Sequence, residues 1–216
     1  MLLLSTGTAA GLGQVNPQFV APTPGLDKQY GHGFPPGFPG TGESADGMPC
    51  PEAGSSRDGI GLAVMLTAPP EATGFSFDWD FFTSEYPEYV CSEYNDVAAV
   101  FVDGVNVMID AQGQAINVNS SLVDNCESGN WGEPPNQTGS RTCIGTAHLQ
   151  NTGYQGPPPA GFTTDVGAAS GWRTSTNGNV VITPGENYTF IFAIWDSTDG
   201  IWDSIVIFDH FRWTYD

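Results

Sequence analysis

Two stretches of this chain alternate apolar and polar residues with a period of two, which is the strongest constraint on its fold. In residues 73–82 and again in 187–195, a large apolar side chain occupies every second position. Successive side chains of a β-strand point to opposite faces, so this spacing predicts half-buried strands. The residues expected on the buried faces are Phe75, Phe77, Trp79 and Phe81 in the first stretch and Tyr188, Phe190, Phe192 and Ile194 in the second.

Shorter apolar runs predict further strands, and no window shows a 3.6-residue apolar period with helix caps. The runs are residues 2–4, 60–67, 97–102, 105–109 and 204–213, with weaker candidates at 115–118 and 145–149. Asp103-Gly104 suits a two-residue type I′ hairpin turn. Residues 84–94 are the one candidate for a short helical piece, and the segments 124–143 and 150–171 are expected to be long polar loops.

Many brief strands separated by glycine and proline turns predict an all-β fold, a single-domain β-sandwich of jelly-roll type with long Gly/Pro-rich loops. The 216 residues fit one domain, residues 1–216. Within it, residues 5–58 are rich in glycine and proline and cannot hold a helix or a central strand. This segment is expected either to pack as a strap on the sandwich or to be a flexible linker. Trp79, Trp195, Trp202 and Trp213 are expected in the core.

The charge of the chain is strongly negative, with 24 acidic residues against five basic ones and a net charge of -19. Nucleic acids and anionic membranes bind through Lys and Arg, so neither is expected as a partner. No apolar run approaches transmembrane length, and membrane insertion is not expected. The excess of carboxylates favours divalent cations as partners, although acidic surfaces also serve solubility alone.

Four cysteines, Cys50, Cys91, Cys126 and Cys143, occur without zinc-ligand spacing. Their even number in a chain of this type predicts two disulfides and an oxidising compartment. Three pairings are possible. Cys126 with Cys143 would close the loop between them and leave Cys50 with Cys91. Four buried free thiols are the alternative.

Three aspartates, Asp196, Asp199 and Asp203, lie within eight residues around Gly200, between two apolar strands. Carboxylates this close repel one another unless a cation joins them, and Ca²⁺ takes six to eight oxygen ligands from carboxylates, carbonyls and water. The spacing is not that of an EF-hand. The sequence therefore predicts a Ca²⁺ site here. Ordinary turn chemistry, in which Asp and Gly are common, is the alternative.

A second group of oxygen donors, Glu85, Asn95 and Asp96, flanks a tight excursion before the strand at 97–102. Loops at the same end of a sandwich meet, so the two groups are predicted to contribute to one calcium site or to neighbouring sites. The acids Glu88 and Glu93 are expected to be solvated instead.

Three motifs together resemble the bacterial choice-of-anchor L domain. They are FTSEYPEYVCSEYND at residues 82–96, IWDSTDGIWDS at 194–204 with an Asp-Gly hairpin between them, and LSTGTA at 4–9. The resemblance implies a protein that is secreted or held at the cell surface of a bacterium. Position 91 is Cys where the family more often has Gly, which implies a local disulfide.

Two other functions are consistent with the sequence. Trp131 lies in a polar loop and Trp172 follows a Gly-rich stretch, so either ring could stack on a sugar in a carbohydrate-binding module. Paired carboxylates could hydrolyse a glycan. The histidines are isolated, and we find no catalytic motif.

The function that the sequence favours is a non-catalytic, calcium-stabilised extracellular module for adhesion, matrix or surface assembly. The expected partners are extracellular matrix, a cell-surface or glycan ligand, or further copies of the same chain in oligomers or filaments. The apolar opening strand is expected to add to the sheet edge of another subunit.

Overall fold

The computed structural model describes residues 1–7, 51, 54–86, 89–110, 113–120, 122–123, 145, 147–149, 167–175, 180–200 and 203–215. These residues form nine strands and one short 3₁₀ helix, η1. The strands are β1 (Leu2–Ser5), β2 (Ser56–Thr67), β3 (Gly74–Thr83), β4 (Val97–Val102), β5 (Val105–Asn106), β6 (Ile116–Asn117), β7 (Gly167–Thr174), β8 (Asn187–Ser197) and β9 (Ser204–Thr214), and η1 is Ala147–Leu149.

The strands form two antiparallel sheets. One has the order β1-β9-β3-β7, and the other has the order β2-β8-β4-β5, with β6 also pairing with β4. The expected all-β sandwich is confirmed. Every consecutive pair from β1 to β4 changes sheet, so the chain passes repeatedly from one sheet to the other. This crossing later brings distant acidic segments together.

An aromatic core joins the two sheets, as the alternating pattern predicts. Phe75 of β3 packs edge-on against Phe190 of β8, with ring centroids 5.1 Å apart, and Phe192 of β8 packs against Phe208 of β9 at the same distance. The four alternating aromatics of β3 are at most 2% exposed. Trp79 and Trp195 are buried, and Trp213 packs at the margin of the core.

The structure confirms most of the predicted strands and the hairpin turn. Asp103 and Gly104 both have positive φ, 47° and 86°, as a type I′ turn requires. β5 is shorter than predicted. The Met108 amide donates a hydrogen bond to Asn106 Oδ1 at 3.0 Å, so this amide bonds locally rather than to the neighbouring strand β4.

Three predictions of secondary structure were wrong. The weak strand at 145–149 is replaced by η1, whose Leu149 is buried against Phe82. The predicted loop 150–171 contains the start of β7, which pairs with β3. The described residues of 84–94 form turns rather than a helix, with a single helix-like hydrogen bond from the Tyr89 amide to the Glu85 carbonyl at 2.9 Å.

The Gly/Pro-rich segment 5–58 contributes to both sheets at its ends, since Ser5 belongs to β1 and residues 56–58 belong to β2. Most of the segment lies outside the described residues, so its packing as a strap remains a prediction. In the described ranges, no helix has the length and apolar character needed to cross a membrane.

Candidate functional site

The predicted acidic residues lie at one end of the sandwich. Glu85 lies two residues after the end of β3, and Asp203 precedes β9, which pairs with β3 at that end. Asp96 precedes β4, and Asp196 is the penultimate residue of β8, which pairs with the start of β4. Because the end of one strand lies beside the start of its neighbour in an antiparallel pair, segments more than a hundred residues apart in sequence meet here.

Three carboxyl groups form the centre of this site. Glu85, Asp96 and Asp196 are each at most 1% exposed. The Asp96 amide donates a hydrogen bond to Glu85 Oε2 at 3.1 Å, and the Ser204 hydroxyl donates to Asp96 Oδ2. Asp96 thus lies between Glu85 on one side and Asp196 on the other, and we call these three residues the acidic cluster.

Burial and mutual repulsion make ionisation of the acidic cluster unfavourable. Loss of water is the main cause that raises the pKa of each carboxyl group well above its ordinary value. The charge of Asp196 raises the pKa of Glu85 further, Glu85 does the same to Asp96, and Asp96 to Asp196. The cluster therefore favours either bound protons or a bound cation.

The described part of the chain offers this cluster no positive side chain. Arg57 stands opposite Asp196 in the register of β2 and β8, yet it forms no ion pair with it, and the Arg57 Nε atom itself lacks a hydrogen-bond partner. The salt bridges found in the described residues involve Asp78 and Asp209 instead.

Several oxygen atoms at the site are buried without a hydrogen-bond partner. Both carboxylate oxygens of Asp196 are among them; Thr6 and Asp96 lie close enough to alter its pKa but not in hydrogen-bonding geometry. The unpartnered oxygens in these segments are Ser84 Oγ, Asn95 Oδ1, Asp96 Oδ1, Asp196 Oδ1, Asp196 Oδ2 and Ser197 Oγ. Carboxylate, amide and hydroxyl oxygens are the donor set of a hard cation such as Ca²⁺.

The side chains are not arranged as a preformed ion cage. No group of three or more Asp, Glu, His or Cys side chains within the described ranges has the spacing of a metal site. The donor chemistry therefore fits calcium, but coordination would require two carboxylates supplemented by neutral oxygens, or small side-chain movements.

The other predicted ligands surround the acidic cluster. Asn95 is 2% exposed and adjoins Asp96. Asp203 is buried, and its charge raises the pKa of Asp196. Asp199 is partly exposed, and its charge raises the pKa of both Glu85 and Tyr94. The structure thus brings all six predicted residues to one region, with three at its centre. Glu93 is exposed, as expected.

Residues near the chain start complete the site, and the metal-ligand prediction did not include them. The Thr6 amide donates to the Ser204 carbonyl at 3.0 Å, and the Ser204 amide donates to Thr6 Oγ1 at 2.9 Å. Gly7 lies so close to the Asp203 carboxylate that a Cβ atom at Gly7 would collide with it. The sequence feature that could have indicated these residues is the LSTGTA motif, whose small polar residues fit the close contact with Asp203 and Ser204.

Cys91 occupies a backbone position that favours glycine. Its φ is 58°, in the left-handed region, and its amide donates to Asn119 Oδ1 at 2.6 Å. This conformation explains why a glycine is suited to the position. The sulfur of Cys91 is disulfide-bonded. Its pairing stays a prediction, because Cys50, Cys126 and Cys143 lie outside the described residues.

The remaining candidate residues lie apart from the acidic cluster or cannot be described. Trp131 lies outside the described residues, and for Trp172 only the backbone is described, in β7 opposite Asp78. His210 Nδ1 is 2.9 Å from Asp78 Oδ2 on the exposed surface of the sheet β1-β9-β3-β7. His210 is therefore not part of the acidic cluster.

Comparison with known families covers two of the three motifs, those at residues 82–96 and 194–204, whereas residues 4–9 lie outside the matched range. The family model of the choice-of-anchor L domain matches residues 67–211, about two thirds of the chain. The chain belongs to the choice-of-anchor L domain family. No curated protein and no solved structure matches it.

Membership in the choice-of-anchor L family indicates a surface-associated bacterial module. The family is not a known enzyme family. The match includes Glu85, Asp96, Asp196 and Asp203, so the whole acidic region lies inside the choice-of-anchor L domain.

Proposed function

We propose that this choice-of-anchor L domain is a non-catalytic extracellular module for adhesion or surface assembly, whose fold is stabilised by Ca²⁺ at the acidic cluster. The observation that carries the proposal is Asp196. Its carboxylate is 1% exposed, and neither oxygen has a hydrogen-bond partner.

The energetic reason is the cost of burying charge. Taking one carboxylate out of water costs several kcal/mol even after relaxation, and here three are grouped without a basic partner. A dication removes most of this repulsion when the carboxyl groups ionise. A ligand that binds only the folded state stabilises it by about 2.7 kcal/mol at a concentration of 100 times its Kd.

Protons are the other means of lowering the charge. In the absence of calcium, the raised pKa values of Glu85, Asp96 and Asp196 mean that the folded domain binds protons at the cluster more strongly than the unfolded chain does. Calcium would compete with these protons, because its carboxylate ligands must be ionised. The extracellular environment, where calcium is abundant relative to the cytoplasm, suits such a domain.

The fold supports a rigid module of this kind. The strand orders β1-β9-β3-β7 and β2-β8-β4-β5 support the jelly-roll form of the sandwich. In such a scaffold the loops at one end are held by strands of both sheets. Calcium at the acidic cluster would join the ends of β3 and β8 to the starts of β4 and β9.

The geometry favours this role over glycan hydrolysis. Catalytic carboxyl groups must reach a sugar chain, whereas the three acids of the cluster are buried at the strand ends. The carbohydrate-binding alternative depends on the side chains of Trp131 and Trp172 and remains a prediction.

Isothermal titration of the chelator-treated protein with CaCl₂ tests the proposal. The wild type should bind calcium, and Asp196→Asn should lose or greatly weaken that binding. Glu186→Gln is the matched control, since it removes one charge at an exposed position at the other end of β8. Absence of binding in the wild type, or equal affinity in Asp196→Asn, would contradict the proposal.

A further inference from the structure

β2 is the longest strand of the fold, and one of its two edges has no partner within the described residues. Ten of its twelve residues pair with β8, and β2 is the terminal strand of the five-stranded sheet. An unpaired edge presents a row of backbone donors and acceptors that can pair with another strand.

The register shows which backbone groups face outward. The Ala68 amide donates to the Glu186 carbonyl at 2.8 Å, and the Gly185 amide donates to the Ala68 carbonyl at 2.9 Å. Inward and outward groups alternate along an antiparallel strand, so the even-numbered residues of β2 bond to β8. The amides and carbonyls of Gly61, Ala63 and Met65 therefore point away from the sheet.

This edge lacks the features by which proteins usually prevent strand addition. Residues 59–67 contain no charged residue and no proline, and the register irregularity of β2 lies before Ile60. Ile60, Leu62 and Met65 are 48%, 43% and 71% exposed. Among the other described edge strands, β1 and β5 are only four and two residues long, whereas β7 has eight residues.

A groove lined by both apolar and charged residues lies beside the same edge. Leu62 pairs with Phe192, whose ring belongs to the core, so the even-numbered face of β2 points toward the interior. A cavity of about 440 Å³ lies between Leu62 of β2 and residues of β1, β3, β8 and β9. Its lining comprises Met1, Leu2, Leu62, Phe77, Phe192, Phe208, Asp209, His210 and Phe211.

We propose that the free edge of β2 is a self-assembly interface, at which two copies of this chain pair β2 with β2 in antiparallel orientation. The sheets of the two molecules would become continuous. Leu62 of each copy would lie over or beside the mouth of the groove in the other copy. Strand pairing would therefore also cover exposed apolar side chains.

Charge restricts where a second copy can approach this chain. Two copies that each carry a net charge of -19 repel one another over most of their surfaces. The strip of residues 59–67 carries no charge, so it is the place where close approach costs least. A two-fold antiparallel pairing also matches the strip to itself, with the small Gly61 and Ala63 accommodating Met65.

This inference rests on the surface-assembly role proposed above and identifies a second copy of the chain as the partner. The interface does not include the acidic cluster. Ala63 and Met65 pair with Ile191 and Thr189, before the acidic end of β8. Because the repulsion between copies is screened by salt, association should strengthen as ionic strength rises.

Sedimentation equilibrium of the purified chain at increasing protein and NaCl concentrations tests the inference. The wild type should form dimers with increasing concentration, more readily in high salt. Ala63→Pro should remain monomeric, because proline removes an outward amide that β8 does not use and is tolerated on an edge strand. Its far-ultraviolet circular dichroism and melting temperature should match those of the wild type.

Met65→Lys is a second variant that places a charge on the outer edge without changing the backbone, and it should also prevent association. Val181→Lys, at an apolar residue that is 85% exposed outside the strands, is the matched control and should dimerise like the wild type. Asp196→Asn should dimerise as well, even if calcium binding fails. A wild type that stays monomeric at millimolar protein in high salt, or folded Ala63→Pro and Met65→Lys variants that dimerise normally, would overturn the inference.

Discussion

The amide of Asp96 donates a hydrogen bond to the carboxylate of Glu85 across an excursion of eleven residues, with a distance of 3.1 Å between the nitrogen and the oxygen. The bond closes the segment between β3 and β4 and places two carboxyl groups together in the interior. Asp196 joins them from β8. Burial and the neighbouring charges raise the pKa of all three carboxyl groups, so this arrangement makes their ionisation in the folded domain unfavourable.

Replacing Asp196 with Asn should stabilise the chelator-treated domain at pH 8 and abolish its response to calcium. The amide removes one buried charge from the acidic cluster and keeps the size of the side chain. Differential scanning calorimetry with EDTA and then with excess CaCl₂ measures both effects. A calcium-dependent rise in melting temperature that is equal in the variant and the wild type would contradict this prediction.

The chelator-treated domain should lose stability as pH rises from 5 to 8. The pKa values of Glu85, Asp96 and Asp196 are raised in the folded state, so the native state binds more protons than the unfolded chain. Their contribution to stability is fully present below the unfolded pKa, about 4, and is lost as pH rises through the raised folded values.

Urea unfolding across this pH range, with EDTA and with calcium, measures the dependence. The calcium-induced gain in the free energy of unfolding should grow with pH, because calcium needs ionised carboxylates. A stability that does not change with pH in EDTA would show that the three carboxyl groups keep ordinary pKa values.

Ser204→Ala should destabilise the domain by about 1–3 kcal/mol in EDTA, because it removes the hydroxyl that donates to the buried carboxylate of Asp96. Ser84→Ala is the matched control under the same conditions, since the buried Ser84 hydroxyl has no hydrogen-bond partner to lose. Chemical denaturation of both variants provides the comparison, and equal losses of stability would refute the role of Ser204.

Cys91→Gly should be more stable than Cys91→Ala by about 1 kcal/mol, since the left-handed conformation is costly for any residue with a Cβ atom. Both variants lack the disulfide, so the difference isolates the backbone. Thermal unfolding of the two proteins measures it. An alanine variant as stable as the glycine variant would show that the backbone at position 91 relaxes out of this conformation.

The sequence was sufficient to predict the strands whose apolar residues alternate, because one buried face imposes a period of two. Phe75, Phe77 and Trp79 are buried as that period requires. The sequence was not sufficient to predict β7, because its residues Gly167–Thr174 are mostly small and have no alternating pattern. They form a strand by pairing with β3. Non-local pairing overrides weak local preference in such strands.

The acidic residues were predicted as one region because loops at the same end of a sandwich meet. The burial of Glu85 could not be predicted, since an isolated glutamate in a turn is ordinarily solvated. The contributions of Thr6 and Ser204 depend on hydrogen bonds between the two ends of the chain, and no local pattern specifies such contacts.

A crystal structure of the domain grown in calcium, with anomalous diffraction data, tests the central claim most directly. The account predicts an anomalous peak with calcium–oxygen distances of about 2.3–2.6 Å to Asp96 and Asp196. Ordered water alone between these two carboxyl groups, in crystals saturated with calcium, would contradict it.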